Sequence, residues 1–350
     1  MVTDGLIAWY KREKRDLPWR RDREAYHVWV SEIMLQQTRV EAVIPYYERF
    51  LHALPTVEEL AKADEAQLLK LWEGLGYYSR VRNMQKAAKD IVLMGGFPKT
   101  AKELKKLSGF GEYTSGAVAS IAFGERVAAV DGNVLRVWAR MERVGESIKM
   151  PSVRRRCAQD VLDAMPADCD AGDYTQALME LGATVCTPRS PKCKKCPLQA
   201  HCGAYEADEA EDYPIAEAKM AKAVEEFDVH LIVRDGKVLV RQRPKSGLLA
   251  GMWEFPHEAA DEQSVSAAVV QRRLEEAGLT AQAVGPEQSR SDFTFTHRVW
   301  HLRAWAFDLQ GGKIEAPYML ADAQELRALP MASVMEEYRI LALKMLENDI

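Results

Sequence analysis

Apolar residues recur at helical spacing through the first part of the chain and alternate through the second. Residues 3–15 predict a helix, which the segment 16–20 with Pro18 ends. From 26 to 50, Val28, Trp29, Ile33, Met34, Val40, Val43 and Ile44 predict one long helix. Helical stretches are predicted again at 56–66, 65–72 and 81–93, with capping residues opening segments near 64 and 100. An amphipathic run at 112–123, a short apolar run at 127–130 and a helical 134–141 follow, and almost no alternation occurs before about residue 185. Residues 203–226 are acidic and alanine-rich and contain Pro214; 206–226 of them read as a linker. Beyond it, 227–234 and 237–243 predict strands around a turn at Asp235-Gly236, 264–277 a helix, 293–307 a long aromatic-rich strand and 334–346 a last helix. The expected organisation is a helical region, 1–205, a linker, 206–226, and a mixed α/β domain, 227–350.

The length of 350 residues, too great for a single ordinary core, agrees with that division. No run approaches the ~20 apolar residues of a membrane span. The first fifteen residues put their apolar part before their basic part, unlike a secretory signal, so a cytoplasmic, nucleoid-associated protein is expected. The net charge of −5 hides an asymmetry: residues 1–205 carry +5 and the remainder −10. A basic first part suits a polyanion, while the acidic second part limits any such contact to local patches.

Four features carry chemistry. Gly109 and Gly111 flank Phe110 just before the run at 112–123; such a turn leaves backbone N–H groups open to a phosphate, and Asp131 follows one helix later. Glu32 lies among the apolar residues of 26–50, where a carboxyl has a raised pKa and suits general-acid work, unless it lies on the wet face beside Ser31. Residues 74–80, with two glycines, two tyrosines and Arg80, could wedge an aromatic ring into a base stack. Cys186, Cys193, Cys196 and Cys202 follow a C-x6-C-x2-C-x5-C spacing that points to a metal, and both zinc and an iron–sulfur cluster accept four cysteines. Cys157 and Cys169 stand outside that grouping and read as structural.

These pieces together resemble the MutY-type adenine DNA glycosylases of the endonuclease III helix-hairpin-helix superfamily. The resemblance rests on SEIMLQQTRVEAVIPYYERF at 31–50, WEGLGYYSRVRN at 72–83, LSGFG at 107–111, VDGNVLRV at 130–137, ALMELGATVC at 177–186 and the four-cysteine loop at 186–202. It implies an all-α helix-hairpin-helix glycosylase domain, with the hairpin at about 107–125, and a C-terminal Nudix-like α/β domain. It implies a 4Fe-4S cluster on the four cysteines. The implied activity is removal of undamaged adenine from 8-oxoguanine·adenine or guanine·adenine mispairs in duplex DNA, by a monomer with no membrane partner. Glu32 matches the acid that protonates the base, Asp131 the carboxylate that stabilises the sugar cation, and Tyr113 and Asn133 their supports. Gln37 and Tyr77 match residues that intercalate around 8-oxoguanine. Trp19, Arg20, Leu35 and Glu180 match pocket-lining positions, and Phe295, Thr296 and His297 the loop that reads 8-oxoguanine.

The chain departs from the family pattern in places. Phe110 replaces a smaller aliphatic residue of the hairpin, which is expected to alter packing against the DNA backbone. Tyr113 stands where the strand-nicking branch has a lysine, so no Schiff-base nucleophile is evident and a glycosylase without strong lyase activity is expected. Only the end of a Nudix motif survives, at residues 274–278; Arg272 and Gln271 occupy positions of a metal-binding acid and of the motif's arginine, so nucleotide hydrolysis is not expected there.

Overall fold

A computed structural model of the protein describes residue 3 and residues 5–215, 221–260 and 267–347. Residues 216–220 of the expected linker and 264–266 of an expected helix lie outside the described residues. The chain divides into two units, residues 1–63 with 82–218, and residues 64–81 with 219–350.

From the N-terminus run α1 (Leu6–Glu13), α2 (Ala25–Met34), α3 (Val40–Ala53), α4 (Val57–Lys62), α5 (Glu65–Leu71), α6 (Ser79–Leu93), α7 (Ala101–Leu104), α8 (Glu112–Phe123), α9 (Gly132–Met141), α10 (Pro151–Asp163), α11 (Ala171–Thr184) and α12 (Gly203–Glu206). The side chains of Thr56, Asp64 and Thr100 cap α4, α5 and α7 by accepting bonds from the first-turn amides. Trp9 and Tyr10 of α1, Trp138 of α9, Cys157 of α10 and Leu178 and Leu181 of α11 share one buried core. Close approach holds these helices together. A Cβ at Gly182 of α11 would lie 2.5 Å from the Cβ of Asn133, so only glycine lets α11 reach the start of α9.

The helix expected over 26–50 is two helices. The chain turns between Met34 and Val40, with Gln37 at φ 65°. The apolar spacing stays helical across the turn, which is why periodicity does not reveal it. The glycine pair also divides its work. Gly109 has φ +79°, and an added Cβ would press on Asn83 at 3.0 Å, whereas Gly111 is extended and begins α8 with no side-chain cap. Phe110 does not face outward. It is buried and stacks on Trp29 with ring centres 5.0 Å apart, so this departure acts on the core rather than on a nucleic-acid backbone.

The second unit is built on a mixed sheet of β1 (Ala223–Arg234), β2 (Lys237–Gln242), β3 (Trp253–Glu254), β4 (His257–Ala259), β5 (Leu279–Ala283), β6 (Ser289–Thr294), β7 (Arg298–Gly312) and β8 (Tyr318–Ala321). Its main path is β3-β2-β1-β7-β5, with β1 and β7 parallel and in register from Ala223↔Arg298 to Val233↔Asp308. Helices α13 (Ala267–Glu276), α14 (Ala323–Ala328) and α15 (Glu336–Glu347) complete it, and Val270 and Leu274 of α13 pack on Ile232, Leu239 and Phe307. β1 begins inside the expected linker. The strand expected over 293–307 is a hairpin, with Phe295, Thr296 and His297 at its turn between β6 and β7. Alternation continues through that turn, and no glycine or proline marks it. Residues 64–81, expected with the helical region, belong to this unit: Lys70 Nζ donates to the Arg327 carbonyl at 2.7 Å, and Arg339 pairs with Glu73 at 2.6 Å.

Candidate active site

In the helical unit a cavity of 670 Å³ opens between the end of α2, the start of α9 and the face of α11. The end of α2 supplies Glu32, and the turn after it supplies Leu35 and Gln37. The 3-10 turn Pro18–Arg20 supplies Trp19 and Arg20, while α8 supplies Tyr113, the N-terminus of α9 supplies Asp131 and Asn133, and α11 supplies Glu180. Nine residues singled out from the sequence thus line one cavity.

Glu32 is 6% exposed, so the wet-face alternative does not hold. Its Oε2 accepts a short bond from the Tyr113 hydroxyl. Burial pushes the carboxyl up to about 7; the Tyr113 bond opposes the rise and the Asp131 carboxylate adds to it. A carboxyl poised there holds a proton at neutral pH and can give it away. Tyr113 is pushed well above the usual phenol range, by burial first and then by Glu32, so it stays a donor.

Asp131 is tied down as the N-cap of α9. Its Oδ1 accepts from the Val134 amide at 2.7 Å, and its Oδ2 accepts from Asn133 Nδ2 at 2.7 Å. Burial raises its pKa above the ordinary carboxylate value, against the pull of these bonds. Arg136 then holds Asn133, donating from Nη2 to Asn133 Oδ1 and to the Gly182 carbonyl, both at 2.8 Å, and from Nε to the Cys186 carbonyl at 2.8 Å. A fixed carboxylate oxygen beside a protonated carboxyl suits a reaction that builds positive charge on a sugar while a base leaves.

Glu180 differs in kind from Glu32. Arg15 donates to it from Nε at 2.8 Å and from Nη2 at 2.9 Å, and Arg20 Nη2 donates at 2.8 Å. Burial would raise its carboxyl, but the two guanidiniums outweigh that and hold it at about 2. It is a structural anion that aims Arg20 into the cavity. Arg15 and Arg136 were not singled out for the site from the sequence. An arginine at a helix end carries no signal of its buried partner until the fold brings residue 180 to it.

Tyr77 and the Phe295-Thr296-His297 turn lie in the second unit. There the Tyr77 hydroxyl and Thr296 Oγ1 share a short hydrogen bond, and the Arg80 guanidinium lies over the Tyr77 ring at 5.7 Å. Tyr77 is 46% exposed and has φ 48°, an uncommon conformation for a bulky residue.

The four grouped cysteines lie after α11, and Cys186, Cys196 and Cys202 pack against the same core as α9 and α11. Arg140, itself buried, donates to Cys186 Sγ at 3.3 Å. Burial pushes the Cys196 thiol up to about 12 and raises Cys193 and Cys202, with neighbouring sulfurs adding to the rise. Thiols that oppose one another's ionisation fit a cationic centre, which would let them ionise together. Among the described residues no three His, Cys, Asp or Glu side chains come together as ligands of one metal ion. The donor set fits a metal group in its chemistry but does not close on a single ion. Also among the described residues, no helix is long and apolar enough to cross a membrane.

The chain matches the HhH-GPD superfamily of base excision DNA repair proteins over residues 30–161 and the NUDIX domain family over residues 228–340. It is 40% identical over 312 residues to the adenine DNA glycosylase of Arabidopsis thaliana, in an alignment covering 76% of this chain and 49% of the relative. Identity to the adenine DNA glycosylase of Schizosaccharomyces pombe is 33% over 318 residues, covering 72% of this chain and 68% of the relative. A solved structure of a thermostable thymine-DNA glycosylase superposes with a TM-score of 0.52 at 27% identity, over 58% of this chain and 94% of that one. The chain spans about half the length of the plant relative.

Proposed function

The chain belongs to the adenine DNA glycosylase family, and from that premise we propose that it removes adenine mispaired with 8-oxoguanine or guanine in duplex DNA. The observation that carries this reading is the buried Glu32 carboxyl, held near neutral acidity by its surroundings in the same cavity as Asp131.

Hydrolysis of an N-glycosidic bond to adenine needs a proton on the departing base and a counter-charge for the sugar. Adenine cannot be reached inside a duplex, so it is turned out of the stack into the cavity. Glu32 donates its proton to the base, at N7 by the family pattern, and the Tyr113 hydroxyl holds the carboxylate that remains. Asp131, oriented by Asn133 and the Val134 amide, stabilises the cationic sugar through electrostatics or a transient bond to its anomeric carbon. Glu32 then takes a proton from the attacking water. Gln37 and Tyr77 fill the space around the opposing 8-oxoguanine, and the Phe295-Thr296-His297 turn addresses its N7–H and O8. Gly109 and Gly111 leave the first amides of α8 open to a backbone phosphate.

Among the described residues lining the cavity there is no lysine, which supports base removal without strong lyase chemistry. Cys186, Cys193, Cys196 and Cys202 would hold a 4Fe-4S cluster, a redox-capable group that would tie the loop to the core under α9 and α11.

Single-turnover cleavage of a labelled duplex with one 8-oxoguanine·adenine pair tests this reading. Breaks in the adenine strand only after hot alkali are expected. Breaks without alkali would overturn the absence of lyase activity, and no product despite tight binding would overturn the glycosylase reading.

A further inference from the structure

The turn between β6 and β7 has little in its own residues to fix its shape. The Phe295 amide donates to the Arg298 carbonyl at 2.8 Å, which leaves only Thr296 and His297 in the loop. Two-residue hairpin loops that match the twist of their strands place a residue at positive φ, and neither Thr296 nor His297 has one. Both are exposed, while Phe295 is half-buried. A short loop that presents two side chains to solvent keeps their direction only where groups outside it hold its backbone.

That support comes from one short stretch, residues 222–225, at the end of the expected linker and the start of β1. Lys222 Nζ donates to the Phe295 carbonyl at 2.8 Å, and the Ala223 amide donates to the His297 carbonyl at 3.1 Å. The two carbonyls that bracket the loop are thereby both bound. Glu225 lies opposite Trp300 in the parallel pairing of β1 with β7. Its carboxylate accepts from Arg298 Nη1 at 2.9 Å and from Trp300 Nε1 at 2.5 Å. Trp300 is 3% exposed, so its indole N–H needs that acceptor. The Trp300 ring in turn meets Phe295 edge-on, with ring centres 4.9 Å apart, and packs on Phe227 at 4.7 Å. One carboxylate therefore ties the strand that leaves the turn to the aromatic residue that enters it. All of these residues belong to the second unit.

We propose that Lys222 and Glu225 are positioning residues for mispair choice: they fix the direction in which Thr296 and His297 meet the base opposite adenine. The inference rests on the proposed role of that turn in reading 8-oxoguanine. Without Glu225, Arg298 and Trp300 lose their shared acceptor, the turn samples other directions, and its bonds to 8-oxoguanine weaken. A guanine·adenine pair offers the turn neither N7–H nor O8, so it loses little. The end of the linker is then part of the reading device rather than a tether.

The experiment is single-turnover excision from 8-oxoguanine·adenine and guanine·adenine duplexes by the full chain. Glu225→Ala, Glu225→Gln and Lys222→Met are compared with the parent, with His297→Ala alongside. Glu225→Ala should lower the ratio of the two rates about five- to tenfold, with the guanine·adenine rate near the parental value. Glu225→Gln keeps an oxygen that accepts from the indole, and should bring the ratio back to within about twofold of the parent. Lys222→Met, an exposed change, should lower the ratio about two- to fourfold. Equal slowing on both duplexes, with no rescue by glutamine, would make Glu225 merely structural and overturn the proposal. A parental ratio in Glu225→Ala and Lys222→Met, beside a lowered one in His297→Ala, overturns the positioning role alone. A parental ratio in all of them, or a parent without preference for 8-oxoguanine·adenine, overturns the role of the turn and this inference with it. Should Glu225→Ala fail to fold by circular dichroism, Lys222→Met alone decides.

Discussion

A carboxyl whose acidity is displaced to about 7 has two separable signatures. As the proton donor, Glu32 should make single-turnover excision fall as pH rises through about 7. As a buried acid with a folded-state value above the ordinary 4.5, it lends stability in full below about 4.5 and loses it as pH rises through about 7. Glu32→Gln should therefore melt higher than the parent at pH 8, by at most about 3 kcal/mol, and no differently at pH 4. The same variant should lose about a thousandfold in excision while still binding the mispair. Asp131→Asn is a cleaner probe than alanine, because asparagine also caps a helix. It should fold normally and lose most of its turnover; wild-type rates in it would remove Asp131 from the chemistry. Glu32 was legible in the sequence because an acid among apolar helix positions is costly. The opposite character of Glu180 was not, since its arginine partners come from residues 15 and 20, far along the chain.

At the level of elements, the site depends on how closely α11 meets the start of α9. Gly182→Ala would drive a methyl into Asn133 and shift the Asp131 cap. A loss of about 1–3 kcal/mol in stability is expected, with a fall in turnover that urea melts and single-turnover rates would show together. Phe110→Leu removes the stack on Trp29 and should cost about 1–2 kcal/mol with little change in DNA affinity. A large affinity loss at unchanged stability would return Phe110 to the DNA surface. Helices with marked caps, such as α4, α5 and α7, were legible as elements. Two breaks were not, because the side-chain period runs through each unchanged: the turn at 35–39 and the hairpin turn at 295–297. Both turns carry residues assigned to reading the mispair, so the places where pattern failed are the places where side chains are presented rather than packed.

For the whole molecule, the Phe295-Thr296-His297 turn proposed to read 8-oxoguanine and the cavity proposed to release the base lie in different units, and a substitution in that turn should leave the intrinsic chemistry of the cavity intact. His297→Ala should lower the preference for 8-oxoguanine·adenine over guanine·adenine while leaving the guanine·adenine rate near the parental value; an unchanged ratio, measured by single-turnover kinetics on both duplexes, would reject the role of that turn. The division into a helical and a mixed α/β part was legible from the change of period near residue 226. The assignment of 64–81 was not, because a helical segment carries no mark of which core it will join.

That assignment bears on how the protein can be taken apart. Two domain families match residues 30–161 and 228–340, as though two beads lay on a string. The second bead is not continuous: it borrows α5 and the segment around Tyr77 from within the first family's span. A gene cut near residue 220 would strip the carbonyls of Arg327 and Leu329 of Lys70, and Arg339 of Glu73. Portability, the usual virtue of a domain, therefore fails here in one direction. A C-terminal fragment retains its sheet but should need residues 64–81 supplied, in trans or by fusion, to regain its native surface.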